Sequence, residues 1–179
     1  MDSTSARPPR TLIVLRGNSG SGKSSIAARV RCRYGHRDLA VVSQDVVRRQ
    51  ILRDRDVPGA ANIGLIDTIV RWSLDHGYHV VLEGILYNDR YGEMIEALVA
   101  DHAGPSLLYY LDIPFPETLR RHATKPNAHE FGEREMAEWY RERDLLAGVR
   151  ETVIGPAQSL ETTVEQIMRD AHLPAAVSQ

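Results

Sequence analysis

The chain of 179 residues has few of the features that mark a metalloprotein, a disulfide-stabilised protein or a basic nucleic-acid binder. Its only cysteine, Cys32, excludes an internal disulfide and leaves no thiolate cluster for zinc. The seven histidines lack H-E-x-x-H or a similar ligand spacing, so we predict no metal site built from protein ligands. The formal charge of −2 gives no overall basic field of the kind that attracts nucleic acids.

The chain also has no apolar stretch that approaches membrane-spanning length. Residues 1–10 are polar, contain proline and lack the apolar centre of a signal peptide. We therefore predict a flexible segment over residues 1–10, a single domain over residues 11–179, no membrane partner and a cytoplasmic location.

One short glycine-rich run carries the strongest functional signal. It fits the phosphate-binding pattern G-x-x-x-x-G-K-[ST] at every fixed position. It directly follows residues 11–16, whose uninterrupted apolar core is typical of a parallel strand buried on both faces. A surface turn rich in glycine and serine is the alternative interpretation. The run consists of Gly17, Asn18, Ser19, Gly20, Ser21, Gly22, Lys23 and Ser24.

The residue types in this run suit a nucleoside triphosphate. Glycine lets successive backbone N–H groups turn inward around the β-phosphate, where a Cβ atom would crowd the anion. Lys23 supplies a positive charge to the β- and γ-phosphates, and Ser24 offers a hydroxyl to Mg²⁺. The helix that begins near Gly22 directs its N-terminal dipole at the same charge. The run therefore predicts that the chain binds a nucleoside triphosphate together with Mg²⁺.

Apolar runs alternate with helical patterns along the rest of the chain. This alternation predicts an α/β fold with a doubly wound parallel sheet. Gly35 and Gly77 are placed to end helices, and Pro114 prevents a strand from continuing. The predicted strands are 11–16, 39–42, 79–82, 106–111 and 152–154, and the predicted helices include 23–34, 117–122, 133–146 and 160–171.

This order of elements resembles the P-loop kinases of the nucleoside-monophosphate-kinase-like group, and the resemblance covers nearly the whole chain after residue 10. Within that group the chain is most similar to small kinases that phosphorylate a hydroxyl. Examples are chloramphenicol phosphotransferase, gluconate kinase, the zeta-toxin sugar kinases and the kinase domain of phage polynucleotide kinase. The resemblance implies a three-layer fold with a five-stranded parallel sheet of order 2-3-1-4-5, a small lid around residues 120–147, and ATP as the nucleotide.

Asp45 and Arg48 follow the second predicted strand, in the run S-Q-D-V-V-R. Ligands of open parallel sheets gather at the carboxyl ends of strands, so we expect Asp45 near the phosphate-binding run. In the kinases that the chain resembles, an aspartate here accepts the proton of the attacking hydroxyl, which implies that Asp45 is the catalytic base. Arg48, one helical turn further on, would orient the substrate as in polynucleotide kinase. Alternatively, Asp45 caps the helix and Arg48 is a solvated charge.

Glu83 ends the strand that is predicted beside the phosphate-loop strand. Residues 82–84, L-E-G, resemble the L-D-G of nucleotide kinases. A carboxylate here holds Mg²⁺ through water or positions the attacking group of the substrate. Because glutamate replaces the commoner aspartate, we do not expect direct contact with the metal. The alternative is a buried ion pair with Arg16 or another arginine.

Basic residues occupy the predicted lid. Cationic side chains that close over a transferring phosphoryl group stabilise its charge and exclude water. The similar kinases commonly carry lid arginines spaced R-x-x-x-R, which implies that Arg121 stabilises the transition state and that Lys125 contacts the nucleotide. Three further arginines are expected to be helix-surface charges paired with nearby carboxylates; the alternative is that one of them reaches phosphate. They are Arg134, Arg141 and Arg143, with Glu138, Glu142 and Asp144 as partners.

Two loops complete the predicted site. In the similar kinases the loop after the last strand lies along the adenine, which implies backbone contacts from Gly155 and Ala157. Ser25, next to the phosphate-binding run, is also predicted to contact the nucleotide. The acceptor pocket is expected from residues 44–64 and 85–91, where Tyr87 is a candidate substrate contact; an ordinary loop is the alternative.

Together these features predict an ATP-dependent kinase that moves the γ-phosphoryl group to a hydroxyl of a small molecule such as a sugar, a nucleoside or an antibiotic. The D-x-x-R pair suggests an alternative, a kinase of nucleic-acid 5′-hydroxyl ends, which the near-neutral charge opposes. An alternative of another class is a nucleotide-dependent regulatory or binding module whose slow hydrolysis sets a switch.

Overall fold

The computed structural model describes residues 9–124 and 128–176, which form an α/β fold of three layers. The strands are β1 (Leu12–Gly17), β2 (Leu39–Ser43), β3 (His79–Glu83), β4 (Ser106–Leu111) and β5 (Thr152–Ile154). The helices are α1 (Lys23–Tyr34), a π-helix (Val46–Leu52), α2 (Ala61–Asp75), α3 (Asn88–Asp101), α4 (Phe115–Ala123), α5 (Glu133–Trp139) and α6 (Leu160–Asp170).

The five strands form one parallel sheet in the order β2-β3-β1-β4-β5. This order confirms the predicted fold class and topology. β1 lies in the middle of the sheet, and its uninterrupted apolar run is buried on both faces. No helix within residues 9–124 and 128–176 is long and apolar enough to cross a membrane.

The core consists of two apolar layers, one on each face of the sheet. Ile13 and Leu15 pack on the face that α1 and α6 cover. Leu12 and Val14 pack on the opposite face, under α2 and α3. Each of these four side chains is fully buried, and such burial contributes about 1.5–3 kcal/mol per residue. The two layers hold the carboxyl ends of the strands at fixed positions.

The strand register brings three parts of the candidate site to one edge of the sheet. Leu15 pairs with Glu83 across β1 and β3, and Glu83 pairs with Ser43 across β3 and β2. Neighbouring strands therefore end at the same level. The phosphate-binding run follows β1, Asp45 follows β2, and Glu83 is the last residue of β3.

Two helical segments differ from the sequence-based expectation. The helix after β2 is a π-helix, a rare form that is frequent at functional sites. The predicted helix 133–146 is wrong in its second half, because α5 ends at Trp139. The backbone beyond it is bound by distant side chains instead. Asn18 bonds both the N–H and the C=O of Arg141, and the Tyr110 hydroxyl accepts from the N–H of Asp144.

Candidate active site

The glycine-rich run forms a tight loop between β1 and α1. Gly17, Gly20 and Gly22 have φ values of 142°, 78° and 108°, which residues with a Cβ atom rarely adopt. A Cβ atom at Gly20 would lie only 2.4 Å from the carbonyl oxygen of Thr118. At Gly22 the nearest atom to a Cβ would be Nη1 of Arg121, at 3.8 Å. The backbone of the loop therefore requires glycine at these positions.

Lys23, the first residue of α1, folds its side chain back over this loop. Its Nζ donates to the carbonyl oxygen of Asn18 at 2.8 Å and to Oγ of Ser21 at 3.2 Å. The residue is only 7% exposed. The loop thus holds the ammonium group in place beside the backbone N–H groups, an arrangement suited to a bound polyphosphate.

Ser24, the second residue of α1, lies beside Glu83 at the end of β3. Oγ of Ser24 donates to Oε2 of Glu83 at 3.1 Å. A hydroxyl and a carboxylate beside a phosphate-binding loop are the hard oxygen donors that Mg²⁺ prefers. These residues therefore fit the predicted metal by their chemistry.

Arg16 is not the partner of Glu83, which corrects one of the alternatives drawn from the sequence. Arg16 is fully buried and donates to both carboxylate oxygens of Glu151 at 2.9 Å. It also pairs with Asp144 at 3.3 Å. Both bonds to Glu151 come from Nη1, whereas Nε donates to the carbonyl oxygen of Leu86 and Nη2 donates to Asp144. All three guanidinium nitrogens therefore have acceptors, and Glu83 is left to Ser24.

A cavity of about 370 Å³ lies between the phosphate-binding loop, α4 and the start of α6. We call it the α4–α6 cavity. Its volume is in the range of small-molecule sites. Seven residues predicted to contact the nucleotide or its phosphates line it: Gly20, Ser21, Gly22, Ser25, Arg121, Gly155 and Ala157.

A second cavity, of about 230 Å³, adjoins the first at Gly20, and we call it the central cavity. It collects candidate residues from the ends of three strands. They are Lys23 and Ser24 after β1, Asp45 after β2 and Glu83 at the end of β3. Asp45 is thereby placed beside the phosphate-binding loop, as expected from the strand order.

Asp45 has an exposed carboxylate that two arginines approach. Its side chain is 65% exposed and lies 3.2 Å from Arg48 and 3.3 Å from Arg49. Among the described residues it forms no capping hydrogen bond at the start of the π-helix. The capping alternative is therefore not supported, and the carboxylate remains open to the central cavity.

Arg121 connects α4 to the phosphate-binding loop. Its Nη1 donates to the carbonyl oxygen of Ser21 at 2.9 Å, and its Nε donates to Glu117 at 2.7 Å. Hydrogen bonds from Arg120 and Arg121 lower the pKa of Glu117 to about 2, so this carboxylate stays ionised at neutral pH. Lys125 lies outside the described residues, and its role stays a prediction.

A third cavity, of about 270 Å³, shares Arg49, Ile85 and Trp139 with the central cavity. We call it the arginine cavity. Tyr87 lines it but is only 4% exposed, and its hydroxyl donates to the carbonyl oxygen of Trp139. Burial raises the pKa of Tyr87 to about 12, so the phenol stays neutral. The four arginines of this cavity are Arg48, Arg49, Arg90 and Arg141.

Two of the three expected surface pairs near α5 are wrong. Arg134 does pair with Glu138, at 3.4 Å. Arg141 pairs instead with Asp89 at 2.8 Å. The nearest carboxylate oxygen of Arg143 belongs to Asp112, at 3.7 Å. These two arginines follow the end of α5, so helical spacing does not govern their contacts.

Sequence reasoning missed several residues of the site. Glu130, Phe131 and Trp139 line the central cavity, and the Phe131 and Trp139 rings lie 5.0 Å apart. Phe131 and Trp139, aromatic residues among the charged residues of the predicted lid, were a signal that could have indicated part of this lining. The pairing of Asn18 with Arg141 had no such signal, because these residues are 123 positions apart.

Comparison with known proteins identifies the fold of the chain but no close relative in sequence. A scan against models of protein families and a search of curated proteins each found no match. Among solved structures, the APS kinase of Mycobacterium tuberculosis in complex with AMPPNP and APS has a TM-score of 0.67 at 17% identity, over 92% of this chain and 98% of its own.

Two further solved structures match nearly the whole of both chains. A gluconokinase from Sinorhizobium meliloti 1021 has a TM-score of 0.59 at 17% identity, over 93% of this chain and 94% of its own. The tunicamycin resistance protein of Deinococcus radiodurans has a TM-score of 0.60 at 15% identity, over 94% and 99%. The chain therefore has the fold of the P-loop kinases, as its sequence predicted.

Proposed function

We propose that this chain is an ATP-dependent phosphotransferase that moves the γ-phosphoryl group of ATP to a hydroxyl of a small molecule. One observation carries the proposal: Lys23, Ser24, Asp45 and Glu83 line the same cavity. This cavity therefore combines a cation that can bind phosphates, oxygen donors that can bind Mg²⁺, and a carboxylate that can accept a proton. The structural similarity to an APS kinase and a gluconokinase supports the same conclusion.

The nucleotide would occupy the α4–α6 cavity. Its adenine would lie along Gly155 and Ala157, and its phosphates would pass Gly20 to reach Lys23, because Gly20 lines both cavities. The similar APS kinase holds AMPPNP, which supports ATP as the nucleotide. We also propose the cytoplasm as the location, since ATP is the donor.

Each residue of the central cavity would have a separate task. Asp45 would take the proton of the acceptor hydroxyl while the hydroxyl oxygen bonds to the γ-phosphorus and the bond from that phosphorus to the leaving oxygen of ADP breaks. Arg121 would stabilise the charge on the transferring group. Ser24, and Glu83 through water, would hold Mg²⁺, an ion that neutralises phosphate charge when bound.

ADP release with and without acceptors tests the proposal. The assay offers ATP and Mg²⁺ alone, then with pooled hydroxylated metabolites. We expect ADP release to depend on the acceptor, and Lys23→Ala to impair the use of ATP. Tight ATP binding that no acceptor converts into ADP release would favour a regulatory or binding module instead. Unchanged kinetics in Lys23→Ala would contradict the proposal.

A kinase of nucleic-acid 5′-hydroxyl ends is the second candidate. The contact of Asp45 with Arg48 at 3.2 Å favours it, because a D-x-x-R pair of this kind serves as base and acceptor clamp in polynucleotide kinase. A 5′-hydroxyl oligonucleotide in the same assay separates the two candidates. Phosphate transfer to the oligonucleotide, with none to the metabolite pool, would select the second.

A further inference from the structure

The arginine cavity has a composition that phosphoryl transfer alone does not require. Its arginines come from three separate parts of the chain: the π-helix, the start of α3 and the loop after α5. Four arginines and two carboxylates line the cavity, and two carboxylates outside the lining, Asp45 and Asp89, also pair with these arginines. The arginines are Arg48, Arg49, Arg90 and Arg141, and the carboxylates of the lining are Asp56 and Glu138.

Tyr87 forms a rigid platform for two of these arginines. Cζ of Arg141 lies 3.9 Å from the centre of the Tyr87 ring, and Cζ of Arg90 lies 4.7 Å from it. The ring cannot move freely, because its residue is buried and its hydroxyl donates to the Trp139 backbone. A guanidinium over an aromatic ring keeps its N–H groups at its edge, where they can bind an oxyanion.

Part of the donor capacity in this cavity is not used within the protein. The Nε atoms of Arg48 and Arg90 are buried and have no hydrogen-bond partner among the described residues. Nε of Arg90 lies 3.9 Å from Oδ1 of Asp89, so both Nε atoms retain a donor for an acceptor that enters the cavity. An anion in the cavity would supply acceptors of the correct charge.

The cavity lies directly beside the proposed base. Arg48 and Arg49 contact Asp45 and also line the arginine cavity. Ile85 and Trp139 belong to the linings of both the arginine cavity and the central cavity. A molecule that places its charged end among the arginines can therefore extend its other end toward Asp45.

The phosphate-binding loop itself fixes one of the arginines. Nδ2 of Asn18 donates to the carbonyl oxygen of Arg141 at 2.7 Å, and Oδ1 of Asn18 accepts from the N–H of Arg141 at 2.9 Å. Two hydrogen bonds to one residue determine its backbone position. The loop that would bind the phosphate donor thus also fixes the position of the Arg141 backbone beside the arginine cavity.

We propose that the acceptor is a small hydroxylated anion whose carboxylate or phosphate group binds in the arginine cavity with its hydroxyl directed at Asp45. This inference rests on the proposed function and names its substrate class. The volume of about 270 Å³ is close to the lower end of the range for small-molecule sites, which favours a small molecule over an oligonucleotide.

A binding experiment without ATP tests the anion site by itself. Trp139 lines the cavity, and Trp72→Phe removes the other tryptophan, which is 56% exposed and stacks on His76. In this background, sodium phosphate and sodium sulfate are titrated at constant ionic strength set with chloride, and Trp139 fluorescence is followed. We expect a saturable change.

Three substitutions locate the bound anion. Arg141→Gln or Arg90→Gln should weaken binding tenfold or more. Arg143→Gln is the matched control, because Arg143 follows the same helix and does not line the cavity; its affinity should stay within twofold. The inference would be overturned if Lys23→Ala abolished binding while Arg141→Gln and Arg90→Gln left it unchanged, because the anion would then lie at the phosphate-binding loop.

A kinetic experiment tests the acceptor itself, with ATP and matched pairs of compounds. Gluconate is compared with glucitol, and glycerol 3-phosphate with glycerol, in a screen that also holds other carboxylate and neutral pairs. We expect transfer to anionic members only. Arg141→Gln should raise the acceptor KM tenfold or more and change the ATP KM less than twofold, whereas Arg143→Gln should change neither.

The outcomes separate this inference from the proposed function. Transfer to neutral acceptors that Arg141→Gln does not impair would overturn the inference and leave the phosphotransferase intact. Transfer only to a 5′-hydroxyl oligonucleotide would also overturn it. Anion binding that depends on Arg141, without transfer to any acceptor, would support the anion site and contradict the proposed function.

Discussion

Asp45 has a carboxylate that is 65% exposed, between two arginines and the central cavity. The change Asp45→Asn keeps the size of the side chain and removes the proton acceptor. We expect kcat to fall by about a hundred- to ten-thousand-fold, the usual contribution of general acid–base catalysis. The Kd for ATP should change little, because the proposed nucleotide contacts come from the phosphate-binding loop, Lys23, Gly155 and Ala157 and not from Asp45. Steady-state ADP release and equilibrium binding of an ATP analogue measure the two quantities.

Asp67→Asn is the matched control at the scale of single residues. Asp67 also pairs with an arginine on its own helix, at 2.9 Å from Arg71, but it lies on α2 and does not line the central cavity. Asp67→Asn removes one negative charge, as Asp45→Asn does, and should leave kcat unchanged. If Asp45→Asn retained full activity, Asp45 would have no part in the chemistry.

Residues of local motifs could be predicted from the sequence, whereas residues of tertiary contacts could not. The phosphate-binding loop is one continuous run, so its pattern contains its whole geometry. The contact of Asn18 with Arg141 and the ion pair of Arg16 with Glu151 join positions 123 and 135 residues apart. A single sequence carries no local signal for such pairs.

Among the elements, β1 is joined to the segment between α5 and β5 by Arg16. The guanidinium is fully buried, and its main partner, Glu151, has a side chain only 2% exposed. Arg16→Met should lower the free energy of unfolding by about 3–5 kcal/mol, because it leaves the Glu151 carboxylate buried without a cation. Urea denaturation of the wild type and the variant measures the difference.

Two further variants show whether the loss comes from the uncompensated charge. Arg16→Met combined with Glu151→Met removes both ions and should restore much of the stability, since an apolar pair of similar volume often replaces a buried ion pair at little cost. Arg33→Met removes an arginine whose side chain is 37% exposed and which pairs with Glu165; it should cost less than about 1 kcal/mol. Equal losses for Arg16→Met and Arg33→Met would contradict a structural role for Arg16.

The end of α5 shows why helix boundaries were harder to predict than strands. Charges spaced three and four residues apart favoured a helix over 133–146. Beyond Trp139, however, backbone groups bond to Asn18, Tyr110 and Arg16. These tertiary hydrogen bonds outweigh a helical preference worth only a few tenths of a kcal/mol per pair.

Over the whole molecule, the sheet could be predicted almost completely from the sequence. Continuous apolar runs such as 12–15 mark strands buried on both faces, and the order of the strands followed from the resemblance to the P-loop kinases. The three adjoining cavities could not be predicted. Their walls combine residues from α4, α6, the π-helix and the loop after α5, whose relative positions the packing of the whole chain decides.

Buried tyrosines should make the stability of the whole molecule depend on pH above about pH 10. Burial raises the pKa of Tyr34 and Tyr87 to about 12, and burial also raises the pKa of Tyr91 and Tyr109. In the unfolded chain these phenols ionise near pH 10. Above that pH the unfolded state binds fewer protons than the folded state, so the free energy of unfolding should fall as pH rises from about 10 to about 12.

Urea denaturation at several pH values, with the ultraviolet absorbance of tyrosinate, measures this fall. Each buried phenol should contribute up to about 1.4 kcal/mol per pH unit. Lysine adds little to the titration, because the chain has only two. Tyr109→Phe, which also removes a hydrogen bond to Asp170, should make the pH dependence less steep by the equivalent of about one proton. A free energy of unfolding that stays constant between about pH 10 and 12 would show that these phenols do not hold their protons in the folded state.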